Sequence, residues 1–381
     1  MQIFNRRVLA LETNPFITKA LLLHLSGKRA KVLKKIIKTH PSFTDEILSD
    51  IQVTHFKKVV EALSPDAEDF VVLNFPSEKL ITAVEQMPAL SEEQLANAIK
   101  FKKAEEYSIS VSDLVVKVAQ PLRDTRSLFE KTRHLAFATK RVSIDQYLSR
   151  LFSEAKAPEP DVLLPDSIKY FELIDNKAFL GSMKTGDRFR FLALLDLQYS
   201  LLFAFLHGSI YHVAEIPITI KTLLERLRTL DVDVEEVLEA IVKGAEIGSL
   251  GYVKDIEPVI DETYRNFLFE TEKAIRLVLN NSRIANAINQ VDALSLLSLN
   301  HRITMDLEMI ARNMRLLNGA PITRIPLKPD FPEDLDLYRT VVGLGYRGIR
   351  EIGKYKFVKE IERGGRGFDK YKPLQKQKTK A

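Results

Sequence analysis

The chain has 381 residues, 45% hydrophobic and 28% charged, and its 56 Lys and Arg against 51 Asp and Glu leave a formal net charge of +5. That length supports two domains with substantial cores, and so small a basic surplus argues against nucleic-acid binding. Cys is absent, which excludes disulfides, thiol chemistry and Cys-ligated zinc or iron–sulfur sites.

The start, MQIFNRRVLALE, has two Arg and then only a short apolar run before Glu12, so no signal peptide is read there. Residues 6–40 read as three consecutive strands with turns at Asn14-Pro15 and Ser26-Gly27-Lys28. The alternation of apolar and basic residues in AKVLKKIIKTH suits a strand with one wet face. Residues 44–62 read as a helix with Ile47, Ile51, Phe56, Val59 and Val60 on one side, and Phe70–Phe75 as a short apolar strand.

Pro76 and Pro88 bracket another strand-like piece, and Ser91-Glu-Glu-Gln94 is a capping box opening a helix to about Tyr107. Strands are expected near 113–120 and 133–139. A second capping box, Ser143-Ile-Asp-Gln146, is expected to open a helix to about Ala155, and Leu163–Ile174 reads as helical.

After Gly181–Gly186 the opening pattern restarts. FRFLALLD, SLLFAFLHG and IYHVAEIPI again read as three short strands. Val8–Glu12 matches Leu192–Asp196, and Lys19–Gly27 is similar to Leu201–Gly208, so the three-strand opening is an internal repeat at domain scale. The apolar stretch Phe191–Leu206 contains Asp196 and Gln198 and is shorter than the roughly 20 residues of a membrane-spanning helix, so it reads as buried strands. Helices are expected at 219–230, 233–247, 257–280 and Thr304–Leu317, with strands at Ala293–Leu299 and Pro321–Pro326. A last helix, Leu335–Glu351, carries Gly343, Gly345 and Gly348, which permit close packing. From Arg363 on, the basic segment has little to bury and reads as a disordered tail.

Two copies of this three-strand opening resemble the actin/Hsp70/sugar-kinase superfamily. The chain is similar in particular to the PilM family of type IV pilus assembly proteins, which are FtsA-like. Leu11-Glu12-Thr13-Asn14-Pro15-Phe16-Ile17-Thr18-Lys19 resembles that family's opening L-D-I-G-S-S-S-x-K, with the acid and Lys kept and Gly replaced by Asn14. Met87–Ile109 and Val341–Gly348 resemble two further family stretches, the first in the small inserted subdomain. The resemblance implies an α/β, actin-like ATPase fold: two related ribonuclease-H-like domains and a small inserted α+β subdomain. Its boundaries would be 1–75 with 142–180 and 335–355 for the first domain, 76–141 for the insert, 181–334 for the second domain and 363–381 for the tail.

The nucleotide loops depart from that pattern. The family's second D-I-G is Asp196-Leu197-Gln198 here, and its adenosine loop L-S-G-G falls on Leu297-Ser298-Leu299-Asn300. Glycines there let backbone amides approach phosphate closely, which a side chain obstructs. The expectation is a pseudo-ATPase with no catalytic residue, no metal and no nucleotide cofactor, in which Glu12, Asn14, Lys19, Asp196, Gln198, Ser298, Leu299 and Asn300 are vestigial positions. Glu12 and Asp196 read as acids hydrogen-bonded to turn amides in preference to metal-proximal or water-orienting acids, and Lys19 as a solvated charge at a strand end in preference to a contact for an anion in the cleft. His207 and His212, five apart, do not fit a zinc pattern.

The resemblance further implies a cytoplasmic scaffold, peripheral to the inner membrane, in a type IV pilus or related secretion platform. Its partner would be the N-terminal tail of a PilN-like membrane protein, held in a groove between the first domain and the insert by residues the sequence does not identify. A motor ATPase, a platform protein or a second copy of the chain are further candidate partners. The competing readings are an actin-like ATPase or small-molecule kinase, an FtsA-like filament protein, and a type II secretion protein.

Overall fold

The structure, a computed structural model, describes residues 6–26, 29–43, 48–88, 90–119, 131–153, 159–180, 188–230, 232–244, 253–282, 290–328, 333–352, 355–357 and 371–373. The chain divides into two compact units. One is Met1–Phe75 with Gln146–Glu172 and Thr340–Ala381; the other is Pro76–Asp145 with Leu173–Arg339.

The first unit opens with β1 (Arg6–Thr13), β2 (Ile17–Ser26), β3 (Arg29–Thr39), α1 (Asp50–Leu63) and β4 (Phe70–Phe75). The second begins with β5 (Ile81–Pro88), α2 (Glu92–Glu106), β6 (Leu114–Ala119) and β7 (Lys131–Lys140). Within α3 (Arg141–Phe152) the chain returns to the first unit and adds β8 (Val162–Pro165). The second unit resumes with α4 (Asn176–Leu180), β9 (Phe189–Leu195), β10 (Ser200–Leu206), β11 (Ser209–Ile216), α5 (Ile220–Leu227) and α6 (Val234–Lys243). It ends with α7 (Val253–Asn281), β12 (Val291–Ser298), α8 (His301–Met314) and α9 (Leu316–Gly319). The first unit is completed by α10 (Arg339–Ile352) and the short antiparallel pair β13 (Tyr355–Phe357) and β14 (Tyr371–Pro373).

The first unit's main sheet has the order β3-β2-β1-β4-β8, with β1 antiparallel to β2 and parallel to β4. In the second unit the order is β11-β10-β9-β12, with β9 antiparallel to β10 and parallel to β12. Both units thus lay a meander of three strands beside a parallel fourth, and the internal repeat in the sequence is a repeat of topology. The central strands are apolar on both faces because each sheet is covered on both sides. Val8–Leu11 are buried throughout, as are Phe191–Leu195 and Leu201–Leu206.

On one side of the first sheet, α10 lies so close that two of its glycines have no room for a side chain. A Cβ on Gly348 would stand 2.6 Å from Val8 Cγ1 and 2.8 Å from Val72 Cγ2; on Gly345 it would stand 2.8 Å from Leu23 Cδ1. Gly348→Ala is therefore expected to lower stability by roughly 1–3 kcal/mol through overpacking, despite the ~1 kcal/mol that Ala gains in helix propensity. Gly345→Ala costs less, because it meets one flexible Leu tip. Urea unfolding of the two variants checks the order.

In the Pro76–Asp145 segment of the second unit, three strands in the order β5-β7-β6 form an antiparallel sheet under α2. Leu95 and Ile99 of α2 pack on Ala136, with Met87, Val116 and Val118 around them. The Ser91 capping box is formed. Lys103 is buried on this helix because it bridges Glu85 at 2.7 Å and Glu106 at 2.8 Å. On the other side, Arg133 of β7 covers the Tyr211 ring of β11 at 4.1 Å.

Three expectations from sequence are corrected. Leu163–Ile174 is not one helix: β8 occupies Val162–Pro165, parallel to β4, and a 3-10 turn spans Asp166–Glu172. The apolar Leu163-Leu164 pair suits a buried strand as well as a helix, and Pro165 ends it. Ser143 is not a helix cap, since α3 begins at Arg141, directly after β7. Pro321–Pro326 is not a strand: only Ile322 bridges to Leu294. Of the segment 363–381 only Tyr371–Pro373 is described; the rest of the expected tail lies outside the described residues.

Candidate functional site

The β1–β2 turn of the first unit carries Asn14, and its geometry follows from that residue. The Asn14 side-chain oxygen accepts from the amides of Phe16 (2.9 Å) and Ile17 (3.0 Å), and the Asn14 amide donates to the Ile17 carbonyl at 3.0 Å. This is an Asx turn, the local motif that Asn favours. Between them, Pro15 has no amide hydrogen to offer. The turn's amides are thus consumed from within.

Beneath the turn, at the C-terminal ends of β1, β4 and β8, lies a buried polar cluster. Glu12 and Lys169 are both fully buried, and Lys169 Nζ donates to Glu12 Oε1 at 2.7 Å and to Asp166 Oδ1 at 2.8 Å. The Thr340 hydroxyl donates to the other Glu12 oxygen. Thr340 is in the first turn of α10, so the positive end of that helix adds to the field at the carboxylate. Asn74, one residue before the end of β4, locks the frame: its side chain accepts from the Thr13 amide at 2.8 Å and donates to the Thr13 carbonyl at 3.0 Å and to Asp166 at 3.2 Å. The Tyr147 hydroxyl sits in this environment, its pKa pushed well up by burial and then by the charges of Asp166 and Glu12.

Two sequence expectations fail here. Glu12 is not bound to turn amides but to a lysine 157 positions away. Lys19 is not solvated: it stands opposite Glu12 in the β1–β2 register and is 0% exposed, because β2 is an interior strand. Sequence reasoning also passed over Lys169, Asp166, Asn74 and Thr340. Pro15 alone carried a visible signal, the loss of an amide where the resemblance places a phosphate loop.

In the second unit, the corresponding turn after β9 holds Asp196, which is buried and accepts from the Leu197 amide at 2.6 Å, as expected for an acid bound to its own turn. Leu197 is 1% exposed, Gln198 half-buried. The Asp196 and Leu197 carbonyls accept from the amides of Ile220 and Lys221, which ties the turn to the start of α5.

After β12, the Ser298 hydroxyl donates to the Leu195 carbonyl at 2.7 Å and Leu299 is buried. Asn300 is the N-cap of α8: its side-chain oxygen accepts from the Ile303 amide at 3.0 Å while its NH2 donates to the Ile241 carbonyl at 2.8 Å. The His301 amide donates to Asp336 at 2.8 Å. The first turn of α8 is therefore also capped internally.

Beside Asn300 the second unit contains a cavity of about 320 Å³, lined by Gly244, Glu257, Asp261, Tyr264, Arg302 and Asp306 among others. Burial raises the Asp306 carboxyl above its ordinary range, and Arg302 beside it works in the opposite direction. His207 lies in the β10–β11 turn with φ 51° and His212 is exposed on β11. Among the described residues no group of three or more His, Asp or Glu is placed to hold a metal ion, and no helix is long and apolar enough to cross a membrane.

No protein-family model and no curated protein sequence matches the chain. Solved structures do. A structure described as the PilM-PilN type IV pilus biogenesis complex is similar at 16% identity and a TM-score of 0.63, over 91% of this chain and 99% of that one. The cytoplasmic domain of EpsL, an inner membrane component of the Vibrio cholerae type II secretion system, follows at 9% identity and a TM-score of 0.37, over 90% and 95%. A Bacteroides thetaiotaomicron protein with an actin-like ATPase fold has 11% identity and a TM-score of 0.41, over 89% and 96%. Together with the repeated strand order, the first likeness establishes the actin-like fold that the sequence resemblance implied.

Proposed function

We propose that this chain is a non-hydrolysing scaffold of a type IV pilus or related secretion platform at the inner membrane, and that it holds the cytoplasmic N-terminal segment of a PilN-like membrane protein. The observation that carries the reading is that Glu12, Asn14 and Asn300, at positions where the resemblance places nucleotide contacts, are hydrogen-bonded within the chain. Glu12 is neutralised by Lys169 and hydrogen-bonded by Thr340. Asn14 uses the amides of Phe16 and Ile17, and Asn300 uses that of Ile303. A magnesium-bound triphosphate needs free carboxylate oxygens and free amides at those points, so the residues present do not fit it. The likeness to the PilM-PilN complex supports the pilus assignment.

Titration of a fluorescent peptide copying a PilN-like N-terminal segment tests the reading. Saturable binding that is unchanged by Mg-ATP is the expected result; absence of binding together with nucleotide-dependent capture of another partner would overturn it.

The cavity beside Asn300 favours a second reading, in which the second unit takes a small ligand without phosphate contacts. Its acids Glu257, Asp261 and Asp306 outnumber Arg302, so a neutral or cationic ligand fits better than an anion. A nucleoside raising the melting temperature as much as its triphosphate would support that reading.

A further inference from the structure

The first unit's sheet ends on β3, and among the described residues no strand pairs with its outer side. Its eleven residues, RAKVLKKIIKT, include five basic and no acidic ones, along a strand of roughly 35 Å. Lys31, Lys34, Lys35 and Lys38 are exposed. Lys34 also ties β3 to the end of α1, where it donates to the carbonyls of Ala62 (3.2 Å) and Leu63 (3.1 Å). Midway, the β2 register passes from Leu22↔Lys34 to Leu23↔Val32, so Leu33 is bulged out of the ladder and is 45% exposed.

Lysines and a bulge on an edge strand guard against pairing with other chains, but that role does not require the bulged residue to be an exposed leucine. Lysine ammonium groups are flexible point charges that need no matching geometry, which suits a fluid layer of headgroups. Lys31 and Lys38 share one face of β3 by register, on either side of the bulged Leu33, and exposed lysines flanking one exposed apolar side chain match a layer of anionic headgroups with acyl chains beneath it. We propose that β3 docks the protein on the anionic surface of a phospholipid bilayer, with Lys31 and Lys38 among the headgroups and Leu33 at the acyl boundary. This proposal does not rest on the peptide reading and would hold even if that reading failed.

Co-sedimentation of the full chain with vesicles of phosphatidylcholine, with and without phosphatidylglycerol, tests it. Binding to the anionic vesicles alone, released by salt, is expected. Lys31→Glu with Lys38→Glu should lower the partition coefficient by roughly tenfold or more. Lys117→Glu with Lys177→Glu, an equal charge change on exposed lysines of the second unit, should change it less than about twofold. Leu33→Ser should weaken binding several-fold with the lysines intact. Should the glutamates unfold the sheet, Lys31→Gln with Lys38→Gln gives the same comparison. Failure to bind anionic vesicles, equal loss in both lysine pairs, or binding only to a polyglutamate peptide would overturn the proposal.

Discussion

Replacing Lys169 by Met is expected to destabilise the first unit by roughly 3–5 kcal/mol at neutral pH, the usual cost of stripping one partner from a buried ion pair. The side chain has similar length and apolar bulk, so little packing is lost; the loss is electrostatic. Glu12 and Asp166, 0% and 4% exposed, would remain without the ammonium that binds them both. Urea unfolding gives the number. A triple variant, Lys169→Met with Glu12→Gln and Asp166→Asn, should recover much of it, because a buried ionic group replaced as a whole costs far less than one broken. If Lys169→Met unfolds within about 1 kcal/mol of the parent, the pairing is not what keeps Glu12 buried, and the case for a filled nucleotide site falls with it.

The second large effect is acid instability centred on His40. This residue follows β3, its amide bonded to the Phe16 carbonyl at 2.9 Å, and its ring is 1% exposed and 4.9 Å from that of His55 on α1. Burial, and then the charge of His55, lower its pKa from 6.5 to about 3, while the Lys38 and Asn14 backbones oppose the shift. Between those values the unfolded chain binds a proton that the folded chain refuses. Stability therefore falls as pH drops below about 6.5 and continues to fall toward about 3. At about 1.36 kcal/mol per pH unit, the loss is about 2 kcal/mol between roughly pH 6.5 and 5, a window above the range where carboxylates titrate. His40→Gln should flatten that slope. Equal slopes in parent and variant would contradict the assignment.

Much of the fold could be read from sequence because its signals are local. Alternation and turn residues marked all six meander strands, and the Ser91 box marked α2 to within a residue or two. The errors arose where a short motif was ambiguous on its own. Leu163-Leu164-Pro165 serves a strand as readily as a helix, and Ser143 looks like a cap only when β7 is not seen running into α3. The absence of the glycines that the resemblance implies was also visible. What replaced them was not. Lys169 and Thr340 reach Glu12 from 157 and 328 positions away, and nothing local distinguishes a buried lysine from a solvated one. Lys19 shows the same limit, since its burial depends on β2 being an interior strand with covered faces.

The most direct test of the scaffold reading is a thermal-unfolding scan of the purified chain with and without millimolar Mg-ATP. A nucleotide present at about 100 times its dissociation constant would add roughly 2.7 kcal/mol and raise the melting temperature visibly. The account predicts no shift, because Glu12 is paired with Lys169, and Asn14 and Asn300 hold the amides of Phe16, Ile17 and Ile303. A clear shift with Mg-ATP, reduced by Asn14 and Asn300 variants that fold normally, would contradict it and return the protein to the nucleotide-binding members of its fold.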